Sequence, residues 1–443
     1  MRCIRALALA ATIAAAGCGG RPEAAAMPNA GPAAAATLPL VLPMQSDAFV
    51  DSIGVNTHLL AYLDRPARAA AVTQRIQELG LRHVRDGIFP GLTPHRLALQ
   101  RRFFSAASSV GMEALIDCPQ PLGYYPGSQT PPAVVRSFDA QLGRPIDALE
   151  GPNEPDLRNV KGWAPRTRAC IAHDDRALPV PFVAPAMGDP DDAAKLGNVA
   201  GLVDAGGIHR YFQGHEPETR GFWKRNACGW WEAIRWSECE ARIDSGRAHP
   251  LYVTETGWSD SGTVDQSMDE KTQGKYVSRV LFYDSVSGIA RTYLYDFQDD
   301  GTDRTNDEDG YGLIRFDGSP KPSFNAVRAI VHLLGDPGAQ FRPVPLRLRV
   351  SGPATVETEL FERRDGEYTL VLWNAVPSWD PVKGRAIAVR PVSAGVTLAK
   401  PPGTVHFFTL GDDGNPVAGA VGRSSATLRV TLEDRISFLS FWT

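Results

Sequence analysis

Two carboxylates stand in runs suited to chemistry. Glu154 lies in Leu149-Glu150-Gly151-Pro152-Asn153-Glu154-Pro155-Asp156, and Glu255 in Val253-Thr254-Glu255-Thr256-Gly257-Trp258. Each run moves from β-prone apolar residues to Gly or Pro, which places both carboxylates at strand ends. Two carboxyl groups that face each other across a cleft meet the needs of glycosidic bond cleavage. One protonates the leaving oxygen, while the other attacks the anomeric carbon or activates water against it. The acid then needs a partly apolar wall or a negative neighbour, and the nucleophile needs hydrogen-bond donors and a cation.

The elements that would position them alternate between short β-rich and longer helical runs over residues 45–335. Strands are expected at Ile53 to Thr57, His83 to Asp86, Ala114 to Asp117 and Ala148 to Gly151. Four more follow at Pro181 to Ala184, Gly207 to Tyr211, Tyr252 to Glu255 and Thr292 to Phe297. Helical runs lie between them, such as Arg68 to Leu79, whose Ala71, Val72, Ile76 and Leu79 share one face. Eight such units make an α/β protein, a (β/α)8 TIM barrel, and ends four and seven open onto the same face of it. An open doubly wound sheet normally uses fewer strands and a nucleotide fingerprint, which is absent. From residue 336 to 443 only strands are expected, including Thr355 to Phe361 and Tyr368 to Trp373 around the hairpin signal Arg364-Asp365-Gly366. Thr404 to Leu410, Leu428 to Leu432 and Ile436 to Trp442 complete an antiparallel β-sandwich domain. Leu38 to Leu42 is expected to add a strand to it.

The combination of Asn-Glu-Pro after strand four and Thr-Glu-Thr-Gly-Trp after strand seven resembles the retaining glycoside hydrolases of clan A. Within the clan it is most similar to family 39 and its relatives, which often carry a trailing β-sandwich, and the resemblance covers residues 48–335. It implies Glu154 as acid/base, Glu255 as nucleophile and Asn153 as the partner of the sugar 2-hydroxyl. Arg85, in His83-Val84-Arg85-Asp86-Gly87, resembles the clan's strand-two Arg that supports the nucleophile. A structural ion pair with Asp86 or another barrel carboxylate is its competing role. His209-Arg210-Tyr211 resembles the His-x-Tyr of strand six, with His209 at the substrate and Tyr211 donating to Glu255. Carboxyl groups about 5 Å apart, and hence retention of anomeric configuration, are implied. Strand eight, Tyr293-Leu294-Tyr295-Asp296-Phe297, departs from the clan's Trp, leaving Tyr295 or Phe297 as the platform under the sugar. Trp258 is expected either to line the cleft or to pack in the barrel rim, and His58 either binds a sugar hydroxyl or is a satisfied buried His. No metal or organic cofactor is called for. A transglycosidase with the same residues and a non-catalytic glycan-binding lipoprotein are the alternative readings.

The 443 residues carry 46 Lys and Arg against 50 Asp and Glu, which leaves no basic excess for nucleic acid. No apolar run is long enough to span a bilayer. Residues 1–17 have the layout of a secretory signal: Arg2 and Arg5, apolar Ala6 to Ala16, then small residues before Cys18. A Cys at the cut resembles the lipoprotein signal, which implies a lipid on Cys18 as membrane anchor. A plain signal cut further along is the other reading. Either makes the chain an exported bacterial protein, periplasmic or bound to the outer membrane. Residues 18–44, rich in Ala and Pro, read as a tether. Export permits disulfides; Cys228 with Cys239 closes a short loop, and Cys118 with Cys170 follows. Trp223, Trp230, Trp231 and Trp236 surround that loop as either a substrate-binding lip or a satellite core. The acidic run Asp299 to Gly310 lacks the Gly and Glu register of an EF-hand and reads as a solvated loop at the mouth of the cleft.

Overall fold

Eight parallel strands form the centre: β1 (Ile53–Asn56), β2 (His83–Gly87), β3 (Gly111–Leu115), β4 (Ile146–Glu150), β5 (Phe182–Val183), β6 (Gly206–Tyr211), β7 (Leu251–Gly257) and β8 (Arg291–Leu294). They are seen in a computed structural model describing residues 38–443 apart from 65, 89–91, 116–131, 156, 158–162, 175–176, 190–191 and 263–266. The strands pair in the order β5-β4-β3-β2-β1-β8-β7-β6. The ring closes where Ala184 N–H donates to Ala205 O at 2.8 Å and Val183 bridges Ala205 in parallel. Each of the eight expected strands is present. β3 starts three residues early, at Gly111, because Gly111 and Glu113 break its apolar pattern. Glu113 is buried against Arg291 at 2.8 Å. Gly54 on β1 makes room for the Tyr293 ring of β8: a Cβ there would lie 2.2 Å from Tyr293 Cε1. This small-to-large pairing across the barrel lets an aromatic ring fill its interior.

The C-terminal strands form two sheets. One runs Leu40–Val41, Leu346–Ser351, Val392–Leu398, Thr427–Leu432 and Gly422–Ser424. The other runs Met44–Gln45, Val356–Glu362, Tyr368–Asn374, Ser437–Phe441, Val405–Leu410 and Pro416–Ala418. Gly366, at φ 83°, turns the expected hairpin, and Arg363 N–H donates to Glu367 O at 2.9 Å. The N-terminal strand is present too: Leu40 and Val41 pair with Arg347 and Leu346, and Met44 runs parallel beside Phe361. Residues 38–44 of the expected tether, with Gln45 of the expected barrel segment, therefore belong to the sandwich. The rest of that tether, the signal region and Cys18 lie outside the described residues.

The second sheet is buried on both faces. Leu370, Leu372, Leu439 and Phe441 point into the sandwich core, while Phe361, Val371, Trp373 and Phe438 pack with Phe49 and Phe282 of the barrel. Period-two alternation of a strand makes this double burial possible. Polar contacts lock the joint: Trp373 Nε1 donates to Glu218 Oε1 at 2.7 Å, Arg279 pairs with Glu218, and Arg279 Nη1 donates to Val376 O at 2.9 Å. Cys228 and Cys239 form the favoured disulfide, Cα to Cα 5.5 Å. Cys170 is also disulfide-bonded, and Cys118, its expected partner, lies outside the described residues. Among the described residues no helix is long and apolar enough to cross a membrane.

Candidate active site

The two carboxylates meet at the C-terminal ends of the strands, joined through one imidazole. Glu154 follows β4 and Glu255 sits within β7, and His209 of β6 stands between them. His209 Nδ1 lies 2.6 Å from Glu154 Oε1 and 3.5 Å from Glu255 Oε2. One oxygen of each carboxylate and this nitrogen all lie within 4.8 Å of one another. Glu154 adopts φ 40°, an uncommon left-handed turn for a residue with a Cβ, and its side chain is 39% exposed. Glu255 is buried. One carboxyl group thus faces the open cleft, and the other is held in the wall beneath it.

Arg85 of β2 organises the floor. Its Nη1 donates to Glu255 Oε1 at 2.6 Å and to Asn56 Oδ1 at 2.6 Å; its Nε donates to Glu150 Oε2 at 2.5 Å. Its Nη2 donates to Asn153 Oδ1 at 2.9 Å. Asp86 is not its partner. That carboxylate instead accepts from Thr57 Oγ1 at 2.9 Å and from the Leu59 N–H at 2.8 Å, fixing the loop after β1. Tyr211 OH donates to the other oxygen of that carboxylate, Glu255 Oε2, at 2.7 Å. Asn56 spends its amide on Thr254 O at 3.0 Å and Leu294 O at 3.2 Å, which ties β1 to β7 and β8. A buried guanidinium satisfied by two carboxylates and two amides meets the requirement that buried charge be both paired and hydrogen-bonded.

These contacts set the ionisation of the site. Burial pushes the Glu255 carboxyl up, but the His209 and Arg85 charges and the Tyr211 and Arg85 hydrogen bonds outweigh it and hold it below the usual range. Burial pulls the His209 ring down, and the Glu255 charge and the bond to Glu154 outweigh that, so the ring lies above its usual value. His209 Nε2 faces Arg85 Nη2 at 3.4 Å, a donor, so the proton that bridges to Glu154 is the one on Nδ1. Burial and the Glu255 charge keep the Tyr211 phenol protonated, well above its ordinary value.

The cleft above the pair encloses about 1160 Å³. Tyr295 lines it, its OH donating to Glu308 Oε2 at 2.9 Å. Tyr211, Tyr295 and Tyr311 meet edge to face there, with centroids 5.4 to 6.1 Å apart. Phe297 is fully buried, which leaves Tyr295 as the aromatic of strand eight in the cleft. His58 also lines it, partly exposed and 3.0 Å from Asp300 Oδ1. Trp258 does not line it. Only 2% exposed, Trp258 stacks on Phe212 at 4.6 Å and donates through Nε1 to His215 O at 2.9 Å. It lies three residues past Glu255, an odd step along extended chain, so it points away from the nucleophile's side. The acidic run is not simply solvated either. Asp299 is buried against Lys321 at 2.6 Å, and Asp309 accepts from Asp303 N–H at 2.7 Å.

Glu150, Asn56, Tyr311 and Glu308 carry no role in the sequence reading. Glu150 had a usable signal: a carboxylate in the buried strand Ile146–Glu150 must have a cationic partner. Two further His–carboxylate sets among the described residues have metal-like spacing, His58–Asp296–Asp300 and His83–Glu113–Asp147. Burial alone would lower His58, but Asp300, Asp296 and Asp86 raise it to about 9, so near neutrality the ring is cationic and the pair with Asp300 is ionic. His83 is held 2.8 Å from Asp147 beneath the barrel, away from the cleft.

No family model matches the chain, and no curated protein matches it either. Solved structures do. A family 39 glycoside hydrolase from the gut symbiont Bacteroides cellulosilyticus WH2 aligns with a TM-score of 0.63 at 17% identity, over 90% of this chain and 83% of that one. The GH39 enzyme of Xanthomonas axonopodis pv. citri gives 0.59 at 15%, over 91% and 96%. A monomeric β-xylosidase from Caulobacter crescentus CB15 gives 0.57 at 14%, over 91% and 98%. At these identities the likeness is one of fold: barrel and trailing β-domain together are shared with these enzymes.

Proposed function

We propose that the protein is a retaining glycoside hydrolase that cleaves O-glycosidic bonds of a polysaccharide or oligosaccharide by double displacement. The observation that carries this reading is the approach of the Glu154 and Glu255 carboxylates to within 4.8 Å over one cleft. That separation suits direct attack by one carboxylate and is shorter than the roughly 6.5–9.5 Å between carboxyl groups by which inverting enzymes seat their water. The fold shared with family 39 enzymes supports the same reading.

In the first half, Glu255 attacks the anomeric carbon, the bond to the leaving oxygen breaks, and Glu154 gives that oxygen its proton. In the second half, Glu154 takes a proton from water, the water oxygen bonds to the anomeric carbon, and Glu255 departs as carboxylate. Arg85 and Tyr211 keep Glu255 ionised and aimed, each on its own oxygen. His209 bridges the two carboxylates and adjusts as charge leaves one and arrives on the other. Asn153, oriented by Arg85, presents its amide at the cleft to the sugar 2-hydroxyl. Tyr295 and His58 bound the sugar pocket on the β8 and β1 side. Export and lipid attachment at Cys18 remain part of the proposal on the strength of the sequence alone. The test is a screen of the purified protein against aryl glycosides and bacterial and plant polysaccharides, with NMR of the first-formed anomer. Turnover with retention supports the reading; inversion refutes it.

A further inference from the structure

The insertion after β6 divides into a buried half and an exposed half. Trp236 is buried and stacks on Trp231 at 5.1 Å, making the satellite core. Trp223 meets Trp231 edge-on at 5.3 Å and is 72% exposed. It also holds φ 66°, a left-handed conformation costly for a bulky side chain. Lys224 lies over both indoles, Nζ 4.3 Å from the Trp231 ring and 5.3 Å from that of Trp223.

This aromatic pair is fixed relative to the catalytic strand. Arg210, next to His209 on β6, is fully buried and donates to Pro217 O at 2.9 Å and Glu232 O at 3.0 Å, gripping the insertion at both ends. The Cys228–Cys239 disulfide pins the hairpin between them. Trp231 shares a small cavity with His209 and Gly188. Gly188 touches Glu154: a Cβ there would lie 3.0 Å from Glu154 Cδ. The large cleft is lined by Glu154 together with His58, Arg96 and Asp300. The leaving group must sit against the acid that protonates it, and the insertion reaches that acid through Gly188, His209 and the cavity they share with Trp231.

We propose that Trp223 and Trp231, with Lys224, form a binding strip for the leaving-group portion of a glycan chain. The inference rests on the reading of Glu154 as acid and deepens it: the substrate is a chain of several sugars that continues past the cleaved bond. Its pyranose CH faces stack on the indoles, as apolar sugar faces do on aromatic rings, and the Lys224 ammonium meets its hydroxyl or carboxylate oxygens.

The test compares Trp223→Ala with Trp230→Ala in the full chain. Trp230, 48% exposed at the end of the same hairpin strand, is a neighbouring indole outside the Trp223–Trp231–Lys224 cluster. Two readouts are taken: kcat/KM on aryl monoglycosides against that on tetra- to hexasaccharides, and binding of the same oligosaccharides measured by calorimetry in the Glu154→Gln background. Loss of one stacked ring should lower kcat/KM on oligosaccharides and weaken their binding roughly tenfold, leave aryl glycosides within about twofold, and be absent in Trp230→Ala. An equal loss on both substrate types, an equal loss in both variants, or no loss in Trp223→Ala overturns the strip. Absence of turnover on every glycoside refutes the hydrolase reading instead, and the strip then stands or falls on binding. Trp223-dependent binding of oligosaccharides supports it, and absence of binding, or binding that ignores Trp223, overturns it.

Discussion

Replacing Tyr211 with Phe removes one hydrogen bond from the nucleophile and little else. The phenol donates to Glu255 Oε2 at 2.7 Å inside a buried site, while Arg85 keeps its own bond to Oε1. Glu255 must be ionised to attack, and its neighbours hold its carboxyl below the usual range against the upward push of burial. Taking away a donor weakens the ionised form, so the carboxyl moves up. A hydrogen bond to a charged group contributes about 1.5–3 kcal/mol, and one pKa unit corresponds to about 1.4 kcal/mol, so the rise is about one to two units. The readout is the acid limb of kcat/KM against pH, which reports the free enzyme's essential base. The substrate should be an aryl glycoside with an activated leaving group, so that proton donation by Glu154 does not shape the same limb. The account expects the limb to move to higher pH by about one to two units, with the folded state retained in thermal melting. A limb that stays put, or moves to lower pH, would refute the assignment of Tyr211 and Arg85 as joint supports of an ionised Glu255.

Other outcomes follow from the same geometry. Glu154→Gln should slow glycosides with poor leaving groups by two or more orders of magnitude, in the range of general acid catalysis, while activated aryl glycosides keep most of their first-step rate; equal losses on both would remove the acid role. Glu232 is sealed in the post-β6 insertion, where burial, only partly opposed by Arg210, pushes its carboxyl from 4.5 to about 8. Between those values the folded chain holds a proton that the unfolded chain has lost. Stability is therefore highest below the lower value and falls as pH rises through the upper one, by on the order of a few kcal/mol. Glu232→Gln should flatten the fall of Tm between about pH 5 and 8.5. Asp244, also buried and raised to about 8, leaves part of the slope in place. An unchanged slope would mean that Glu232 finds a cation or water that keeps it ionised.

What could be read from the chain was whatever is local. Strand ends announce themselves by an apolar run followed by Gly or Pro, and Glu154 and Glu255 sit in such runs, so the strand count and the two facing carboxylates were both accessible. Leu346–Ser351, a strand of the first sandwich sheet absent from the expected ones, carries the same local signal in its alternating Leu-Arg-Leu-Arg-Val-Ser, whereas Gly395 hides the pattern of Val392–Leu398. The supporting network was less accessible because its partners are remote: Arg85 reaches 65 residues to Glu150 and 170 to Glu255. Sequence shows that a buried carboxylate needs a cation but not which one. Trp258 marks a different limit: of its two readings the buried one holds, because nearness to Glu255 along the chain is not nearness in the cleft when the parity of an extended strand sends the two side chains to opposite sides. Tyr293 and Tyr295 show the same rule from the other direction, one filling the barrel over Gly54 and the next of like parity lining the cleft.

The reaction described here requires a covalent bond between sugar and Glu255, and a slow mechanism-based 2-deoxy-2-fluoro glycoside can trap it. After proteolysis, mass spectrometry should find the fluoroglycosyl group on Glu255, with Glu154→Gln still labelled by an activated reagent and Glu255→Gln not labelled at all. A label on Glu154 or elsewhere, in a protein that turns over the parent glycoside, would contradict the account at its centre.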